Sequence, residues 1–97
     1  MITPKQRAFL KKEAHTMQPS ILVGKGGVSD NTIQQVDEML AKRELIKGRC
    51  LDNAPESAKE VAQDLMEATG ADFVQAIGST FVLYRPADTP KIQLPRK

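Results

Sequence analysis

The chain has 97 residues, a net charge of +2 at pH 7 and a hydrophobic content of 40%, which suits one small domain with a modest core. Its single cysteine and single histidine exclude a disulfide framework and metal sites built from several Cys or His ligands. No apolar run approaches the roughly 20 residues that span a bilayer and no signal peptide is visible, so we expect a cytoplasmic protein without a membrane partner.

Charge is segregated along the sequence. Residues 1–49 contain nine Lys or Arg and five Asp or Glu, residues 50–80 contain one and six, and residues 81–97 contain four and one. The three segments therefore carry +4, −5 and +3. Such segregation can produce a positive face on a protein of mild overall charge, although ordinary scatter of surface charge is also compatible with it.

The first predicted element is a helix. In Thr3-Pro4-Lys5-Gln6 the threonine caps, the proline occupies the first turn and Gln6 completes a capping box. The helix is predicted to run to about Met17, before Pro19. One arc of its surface is apolar and the opposite arc is basic, so the basic arc is either a solvated face or a surface for a polyanion. The apolar arc comprises Phe9, Leu10, Ala14 and Met17, and the basic arc comprises Lys5, Arg7, Lys11, Lys12 and His15.

A glycine-rich loop comes next. The apolar run Ser20–Val23 predicts a short strand, buried as in a parallel sheet. Gly24-Lys25-Gly26-Gly27 follows, and a second helix begins near Ser29 and extends to about Arg43. The glycines leave the backbone open to a phosphodiester, Lys25 supplies a cation, and the helix N-terminus adds a partial positive charge. A tight structural turn would use the same residues.

The spacing of these glycines narrows the type of ligand. A nucleoside-triphosphate P-loop needs four residues between two glycines and then Lys-Ser or Lys-Thr, which are absent here, and nothing matches G-x-G-x-x-G. The spacing that remains is G-x-x-G, from Gly24 to Gly27. KH modules clamp a nucleic-acid backbone with this spacing.

The middle of the chain predicts a strand and an acidic helix. In the strand Leu45–Leu51, Lys47 and Arg49 lie on one face. The third helix is predicted to begin at Asn53-Ala54-Pro55 and to end at Thr69, before a glycine cap. Its outer surface is acidic, so we expect it to lie away from any nucleic acid. The acidic residues are Glu56, Glu60, Asp64 and Glu67.

Two further strands complete the fold. Phe73–Ile77 and Thr80–Arg85 are predicted to form a hairpin with a tight turn at Gly78-Ser79. The order α-β-α-β-α-β-β predicts a single α/β (α+β, two-layer) domain over residues 1–97, with three helices and a four-stranded mixed sheet. The sequence leaves the strand order open. Residues 86–97 form a basic, proline-containing tail that should be extended or mobile.

No catalytic constellation is recognisable in the sequence. Cys50 is most simply a small buried residue, and His15 is the only basic partner that could activate its thiol. We therefore expect no catalytic residue, no cofactor and no metal. Three functions stay open at this point: an RNA-binding protein, an interaction module that docks a basic protein through the acidic third helix, and an enzyme acting on a phosphorylated small molecule.

Several stretches together resemble one family. They are Thr3-Pro4-Lys5-Gln6, Pro19 to Val23 with the G-x-x-G loop, Glu44-Leu45-Ile46-Lys47, Gly78 to Pro86, and Lys91 to Lys97. The chain resembles the CRM (chloroplast RNA splicing and ribosome maturation) family, most closely its bacterial single-domain YhbY-like members. Gly26 departs from the family pattern, since a bulkier polar residue would also be tolerated there.

The resemblance implies a non-catalytic RNA-binding monomer with a fold similar to the C-terminal domain of translation initiation factor three. It implies ribosomal RNA or a precursor of the large ribosomal subunit as the partner, with ribosomal proteins as further contacts. The three phenylalanines are needed in the core, so recognition should read RNA shape and backbone rather than stacked bases. The expected RNA-binding residues are Lys5, Arg7, Lys11, Lys12, Gly24, Lys25, Gly26, Gly27, Lys47 and Arg49.

Overall fold

A computed structural model describes residues 2–87 and 92–95 of the chain. It contains three helices and four strands in the order α-β-α-β-α-β-β, which confirms the predicted α+β class. The elements are α1 (Pro4–Ala14), β1 (Ile21–Val23), α2 (Asp30–Arg43), β2 (Leu45–Cys50), α3 (Ala58–Thr69), β3 (Asp72–Ile77) and β4 (Thr80–Tyr84).

The four strands form one mixed sheet in the order β1-β2-β4-β3. Strand β1 pairs parallel to β2, whereas β2 with β4 and β4 with β3 are antiparallel. The hairpin turn between β3 and β4 lies at Gly78, whose φ of 58° belongs to the left-handed region that favours glycine. Strands β2 and β4 therefore lie in the centre of the sheet, with β1 and β3 at its edges.

Helices cover both faces of the sheet, which differs from the expected two layers. Helices α2 and α3 pack on one face, around a core that includes Ile46, Phe81 and Leu83. Helix α1 packs on the other face, where Leu10 contacts a second cluster that includes Val82. Strand β4 is apolar on both faces, and a strand of this kind needs cover on both sides.

Two helix boundaries differ from the prediction. Helix α1 ends at Ala14, short of Met17, and His15 is its C-cap. Helix α3 begins at Ala58 because Ser57 is its N-cap: the Ser57 hydroxyl accepts from the Glu60 amide at 3.2 Å and the Glu60 carboxylate accepts from the Ser57 amide at 3.1 Å. Residues 52–53 form a turn and residues 55–56 form a bend before the helix.

A β-bulge changes which face of the sheet the later side chains of β3 occupy. Phe73 lies opposite Leu83 and Gln75 lies opposite Val82, so one residue of β3 is extra between these pairs. Beyond the bulge, Ile77 lies opposite Thr80. Residues directly opposite each other share a face, so the bulge moves Gln75 and Ile77 to the face that carries α1. Strict alternation from Phe73 would have placed both on the opposite face.

The buried Glu44 side chain anchors the segment that follows β4 at two residues, Ala87 and Ile92. Its side chain is fully buried, and its two carboxylate oxygens accept from the Ala87 amide at 3.1 Å and the Ile92 amide at 3.0 Å. Ile92 and Leu94 pack against the cluster under α1, and the side-chain Nε2 of Gln6 donates to the Pro95 carbonyl. The expected tail is thus anchored at residues 92–95, while residues 88–91, 96 and 97 lie outside the described part.

Candidate nucleic-acid interface

The G-x-x-G loop is a hydrogen-bonded turn at the end of β1. The Gly27 amide donates to the Gly24 carbonyl at 3.0 Å, so Lys25 and Gly26 occupy the two central positions. Neither central residue has a positive φ. Among the described residues, no protein group accepts a hydrogen bond from the Lys25 or Gly26 amides, and the Lys25 side chain is exposed. These two amides and the Lys25 ammonium are the donors that the loop offers to an anion.

The three glycines of the loop have different structural roles. Gly27 has a φ of 66°, and an added Cβ would lie 3.1 Å from Cγ of Pro55, so its conformation requires glycine. A Cβ at Gly24 would meet Leu51 at an ordinary contact distance of 3.6 Å. A Cβ at Gly26 would meet nothing within 4 Å, and the position is therefore sterically free for a larger residue.

The basic residues of α1 differ in their exposure and in their contacts. The side chains of Lys5, Lys11 and Lys12 are exposed and make no hydrogen bond or salt bridge with any described residue. Arg7 is half-buried, and its Nε donates to the Phe73 carbonyl at 3.3 Å. The basic arc is thus three solvated lysines beside an arginine that also ties α1 to β3.

The two basic residues of β2 lie on the sheet face that carries α1. Lys47 is half-buried, and its Nζ donates to the Ala14 carbonyl at 3.3 Å, at the end of α1. A cation at this position satisfies a terminal carbonyl and meets the negative end of the helix. Arg49 lies two residues further along the strand and is exposed. Lys47 therefore has a structural partner, whereas Arg49 is solvated.

The structure brings most of the predicted site residues to one end of the sheet. Strand β1 pairs in parallel with β2, so the loop that follows Val23 begins beside Cys50, next to Arg49. Helix α1 ends at Lys47, with Lys11 and Lys12 in its last turn. Arg7 contacts Phe73, which lies about four strand residues or roughly 13 Å from the loop along the strands and three strands away from it across the sheet. Arg7, and Lys5 before it, are therefore set apart from the group.

The acidic surface of α3 lies on the sheet face opposite to α1. The segment that leads into α3 is nevertheless close to the loop, since Pro55 borders Gly27. Desolvation raises the pKa of Glu56, and the neighbouring Asp64 and Glu60 carboxylates raise it further. A hollow of about 260 Å³ is lined by Glu56, Lys59, Glu60, Gln63 and Asp64. The neighbouring carboxylates thus act on Glu56, whereas hydrogen bonds from Ser57 lower the pKa of Glu60.

Cys50 and His15 lie on opposite faces of the sheet. Cys50 belongs to the core under α2 and α3, whereas His15 borders a hollow on the α1 face. Burial raises the pKa of the Cys50 thiol and the Glu56 carboxylate raises it further, which favours the weakly nucleophilic protonated form. In the part of the chain that the structure describes, no three His, Cys, Asp or Glu residues are grouped to hold a metal ion. No described helix combines the length and apolarity needed to cross a membrane.

Sequence reasoning missed the exposure of two aliphatic residues on the α1 face. Leu22 was expected in a fully buried strand, yet it is 62% exposed, because α1 contacts β2, β3 and β4 and leaves this edge uncovered. Ile77 is also 62% exposed, because the bulge turns it to the same face. The alternation of side chains along a strand implies that Leu22 faces away from Ile21 and Val23. Because all three residues are apolar, the sequence does not show which of the two faces is exposed.

Comparison with known proteins identifies the family. The family model described as the CRS1 / YhbY (CRM) domain matches residues 2–85. This match covers most of the chain, so the protein belongs to the CRM domain family, as its sequence motifs indicated.

Particular relatives match along their full length. The chain is 45% identical over 96 residues to "Probable RNA-binding protein YqeI" of Bacillus subtilis, covering 98% of this chain and 100% of that protein. It is 35% identical to a protein of Haemophilus influenzae named "RNA-binding protein", covering 99% of this chain and 97% of the relative. The solution structure of SAV1595 from Staphylococcus aureus is similar with a TM-score of 0.81 and 44% identity, covering 98% of this chain and 100% of that one.

Proposed function

We propose that this protein is a non-catalytic RNA-binding protein, a monomer of one domain that binds structured ribosomal RNA during assembly of the large ribosomal subunit. RNA as the ligand is supported by the names of its relatives in Bacillus subtilis and Haemophilus influenzae. The ribosomal partner rests on the family resemblance. The observation that carries the proposal is the loop, which presents two unused amides and one solvated ammonium beside an exposed arginine.

In the proposed mechanism the loop binds the RNA backbone at the end of the sheet. A phosphate oxygen accepts from the Lys25 and Gly26 amides, and the Lys25 ammonium pairs with the same or the next phosphate. Lys11, Lys12 and Arg49 continue the positive surface along α1 and β2. Lys5 and Arg7 extend it towards the far end of α1, and Lys47 contributes charge while it holds the Ala14 carbonyl. Such contacts position RNA with little dependence on base sequence.

The loop allows a direct test with two single substitutions. Gly24→Val introduces a side chain at ordinary contact distance from Leu51, without a positive φ, so the fold should survive while the phosphate is kept away. Lys25→Ala removes the cation. Each should weaken binding to structured RNA by about tenfold, since a lost charged hydrogen bond costs roughly 1.5 kcal/mol.

The matched control is Lys42→Ala, which removes an exposed lysine from the last turn of α2 on the other face of the sheet. Fluorescence anisotropy with one RNA hairpin compares the three variants, and circular dichroism checks their folding. Wild-type affinity for folded Gly24→Val and Lys25→Ala would rule the loop out as the RNA contact. A Gly27 variant is less informative, because its positive φ makes any side chain strain the fold.

The acidic surface of α3 supports a second candidate, a module that docks a basic ribosomal or assembly protein. The crowding of Glu56, Glu60 and Asp64 favours it, since a cationic partner would relieve their mutual repulsion. Both functions can exist in one molecule, because the acidic surface and the basic face lie on opposite sides of the sheet. Affinity for isolated structured RNA that falls with rising salt supports the first function and is not required by the second.

A further inference from the structure

One row of side chains crosses the sheet, and no helix or strand in the described part of the chain covers it. The strand register places Leu22 beside Arg49, Arg49 opposite Thr80, and Thr80 opposite Ile77. These four residues, here called the open row, lie on the α1 face beyond the point where α1 ends. Leu22 and Ile77 are each 62% exposed, and Arg49 is solvated. The row therefore has an apolar residue at each end and two polar residues between them, in the order Leu, Arg, Thr, Ile.

A hollow separates the open row from the end of α1. Its volume is about 250 Å³, and Ala14, His15, Lys47, Gln75, Ile77, Thr80 and Val82 line it. The described residues of the open row and of the hollow's lining include no carboxylate. Lys47 lines the hollow and Arg49 belongs to the open row, so two cations lie in this region. The surroundings thus favour an anionic occupant.

The open row is continuous with the loop. Leu22 is separated from Gly24 by one residue, and the turn that follows Ile77 is joined to the end of β2, where the Cys50 amide donates to the Ser79 carbonyl at 2.7 Å. A polyanion bound at Lys25 and Gly26 would reach the row without crossing any other element. The adjacent surface is apolar at Leu22, which a phosphate does not match but a base or a ribose does.

We propose that the open row binds unpaired nucleotides of the RNA whose backbone the loop holds. This inference rests on the proposed RNA-binding function. Leu22 and Ile77 contact the faces of unstacked bases, the Arg49 guanidinium lies between them and meets a phosphate or a base plane, and the Thr80 hydroxyl borders the path. The row spans three interstrand spacings, roughly 14 Å, so Leu22 and Ile77 contact different nucleotides.

Unpaired RNA fits this surface better than a duplex does. The outside of an A-form helix presents phosphates and 2′-hydroxyl groups, for which two aliphatic side chains are poor partners, whereas the base faces are exposed only in loops and bulges. The preferred ligand is therefore a helix with unpaired nucleotides beside it. This modifies the expectation of pure backbone recognition: the phenylalanines are in the core as expected, but aliphatic residues offer apolar contact in their place.

The test compares two blunt-ended RNA duplexes with the same total number of phosphates, one with an unpaired internal bulge and one fully paired. Dissociation constants at fixed salt are measured for the full chain and three variants. Leu22→Thr/Ile77→Thr removes the apolar surface, Leu22→Ile/Ile77→Val retains it, and Lys25→Ala weakens the loop. Both row positions are exposed, so the substitutions should leave the fold intact.

The proposal predicts that the wild type prefers the bulged RNA. The Thr double variant should bind that RNA about three- to tenfold more weakly, a smaller loss than at an aromatic stacking platform, and bind the paired RNA as before. The conservative double variant should retain the preference, and Lys25→Ala should weaken both RNAs. A 4-thiouridine in the bulge should crosslink to the peptide that contains Leu22 or Ile77.

If the Thr double variant binds both RNAs as the wild type does, the proposal is wrong. The open row would then be a candidate contact for a protein partner. If Lys25→Ala still weakens both RNAs in that case, the proposed function stands without the row. If the wild type binds neither RNA, the proposed function and this inference fail together.

Discussion

At the scale of single residues, Gly48 is where one added methyl group should do the most harm. It lies opposite Phe81 in the sheet, and an added Cβ would be 2.1 Å from Cζ of that ring. Gly48→Ala should therefore lower the free energy of unfolding by about 1–3 kcal/mol or more, because the buried ring has to move within a packed core. Urea unfolding measures the effect.

Gly26→Ala is the matched control, since its Cβ would meet nothing within 4 Å and its φ is not positive. The double variant Gly48→Ala/Phe81→Leu should recover part of the loss by removing the clash. Equal stability of Gly48→Ala and Gly26→Ala would contradict the packing of Phe81 over Gly48.

Glu44 gives a second prediction at this scale. Its buried carboxylate accepts the Ala87 and Ile92 amides, and its negative charge contributes, after burial, to raising the pKa of Tyr84. Glu44→Leu should destabilise the protein by about 2–4 kcal/mol, since hydrogen bonds to charged groups are worth roughly 1.5–3 kcal/mol each. Glu44→Gln keeps an acceptor oxygen and should lose less.

Amide hydrogen exchange followed by NMR reports directly on these two bonds. The Ala87 and Ile92 amides should exchange faster in Glu44→Leu, with Glu44→Gln between that variant and the wild type. Protection of both amides at the wild-type level in Glu44→Leu would show that the carboxylate does not hold the segment.

Residue identities predicted the chemistry of the loop better than its geometry. The G-x-x-G spacing indicated where the backbone is open, but only the structure shows that Gly27 alone needs a positive φ and that the Gly27 amide is used inside the turn. Glu44 was notable in the sequence only as part of a family motif. Its burial depends on Ala87 and Ile92, more than 40 residues away, and no local pattern reports such a contact.

At the scale of elements, α1 allows a charge test with an internal control. Lys11→Glu/Lys12→Glu reverses two exposed charges in the last turn of α1. Lys42→Glu/Arg43→Glu makes the same change in net charge in the last turn of α2, on the other face of the sheet. Both lose the same favourable interaction with the negative end of a helix, so their stabilities should fall alike.

Only the first pair should lower RNA affinity strongly, by about tenfold or more, because it replaces phosphate partners with repelling charges. Fluorescence anisotropy at one salt concentration measures this. Equal losses for the two pairs would mean that the affinity depends on net charge and not on the basic face of α1.

The starts of α1 and α2 were predictable from their capping residues, whereas the start of α3 was not. Thr3 with Gln6, and Ser29 with Thr32, form the first two capping boxes. For α3 the proline at 55 suggested a first turn, but the box of Ser57 and Glu60 decides the start. The end of α1 depends on a tertiary contact, since Lys47 takes the Ala14 carbonyl.

At the scale of the whole molecule, the arrangement of the candidate site follows from the strand order. Pairing of β1 with β2, and of β2 with β4, sets the loop, Arg49 and the hairpin turn at one end of the sheet. Neither that order nor the bulge that turns Ile77 outward leaves a periodic pattern in the sequence. The sequence therefore predicted which residues are basic and where the backbone is accessible. The topology determines which of these residues lie close together.

The salt dependence of RNA binding is the sharpest test of the proposed RNA contact. Among the proposed RNA-binding residues, five have exposed charged groups that make no hydrogen bond or salt bridge with any described residue: Lys5, Lys11, Lys12, Lys25 and Arg49. If four to six cations bind phosphates, a plot of log affinity against log salt should have a slope of about −3 to −4, and Lys25→Ala should reduce its magnitude by about 0.7. An affinity that does not change with salt would contradict the account.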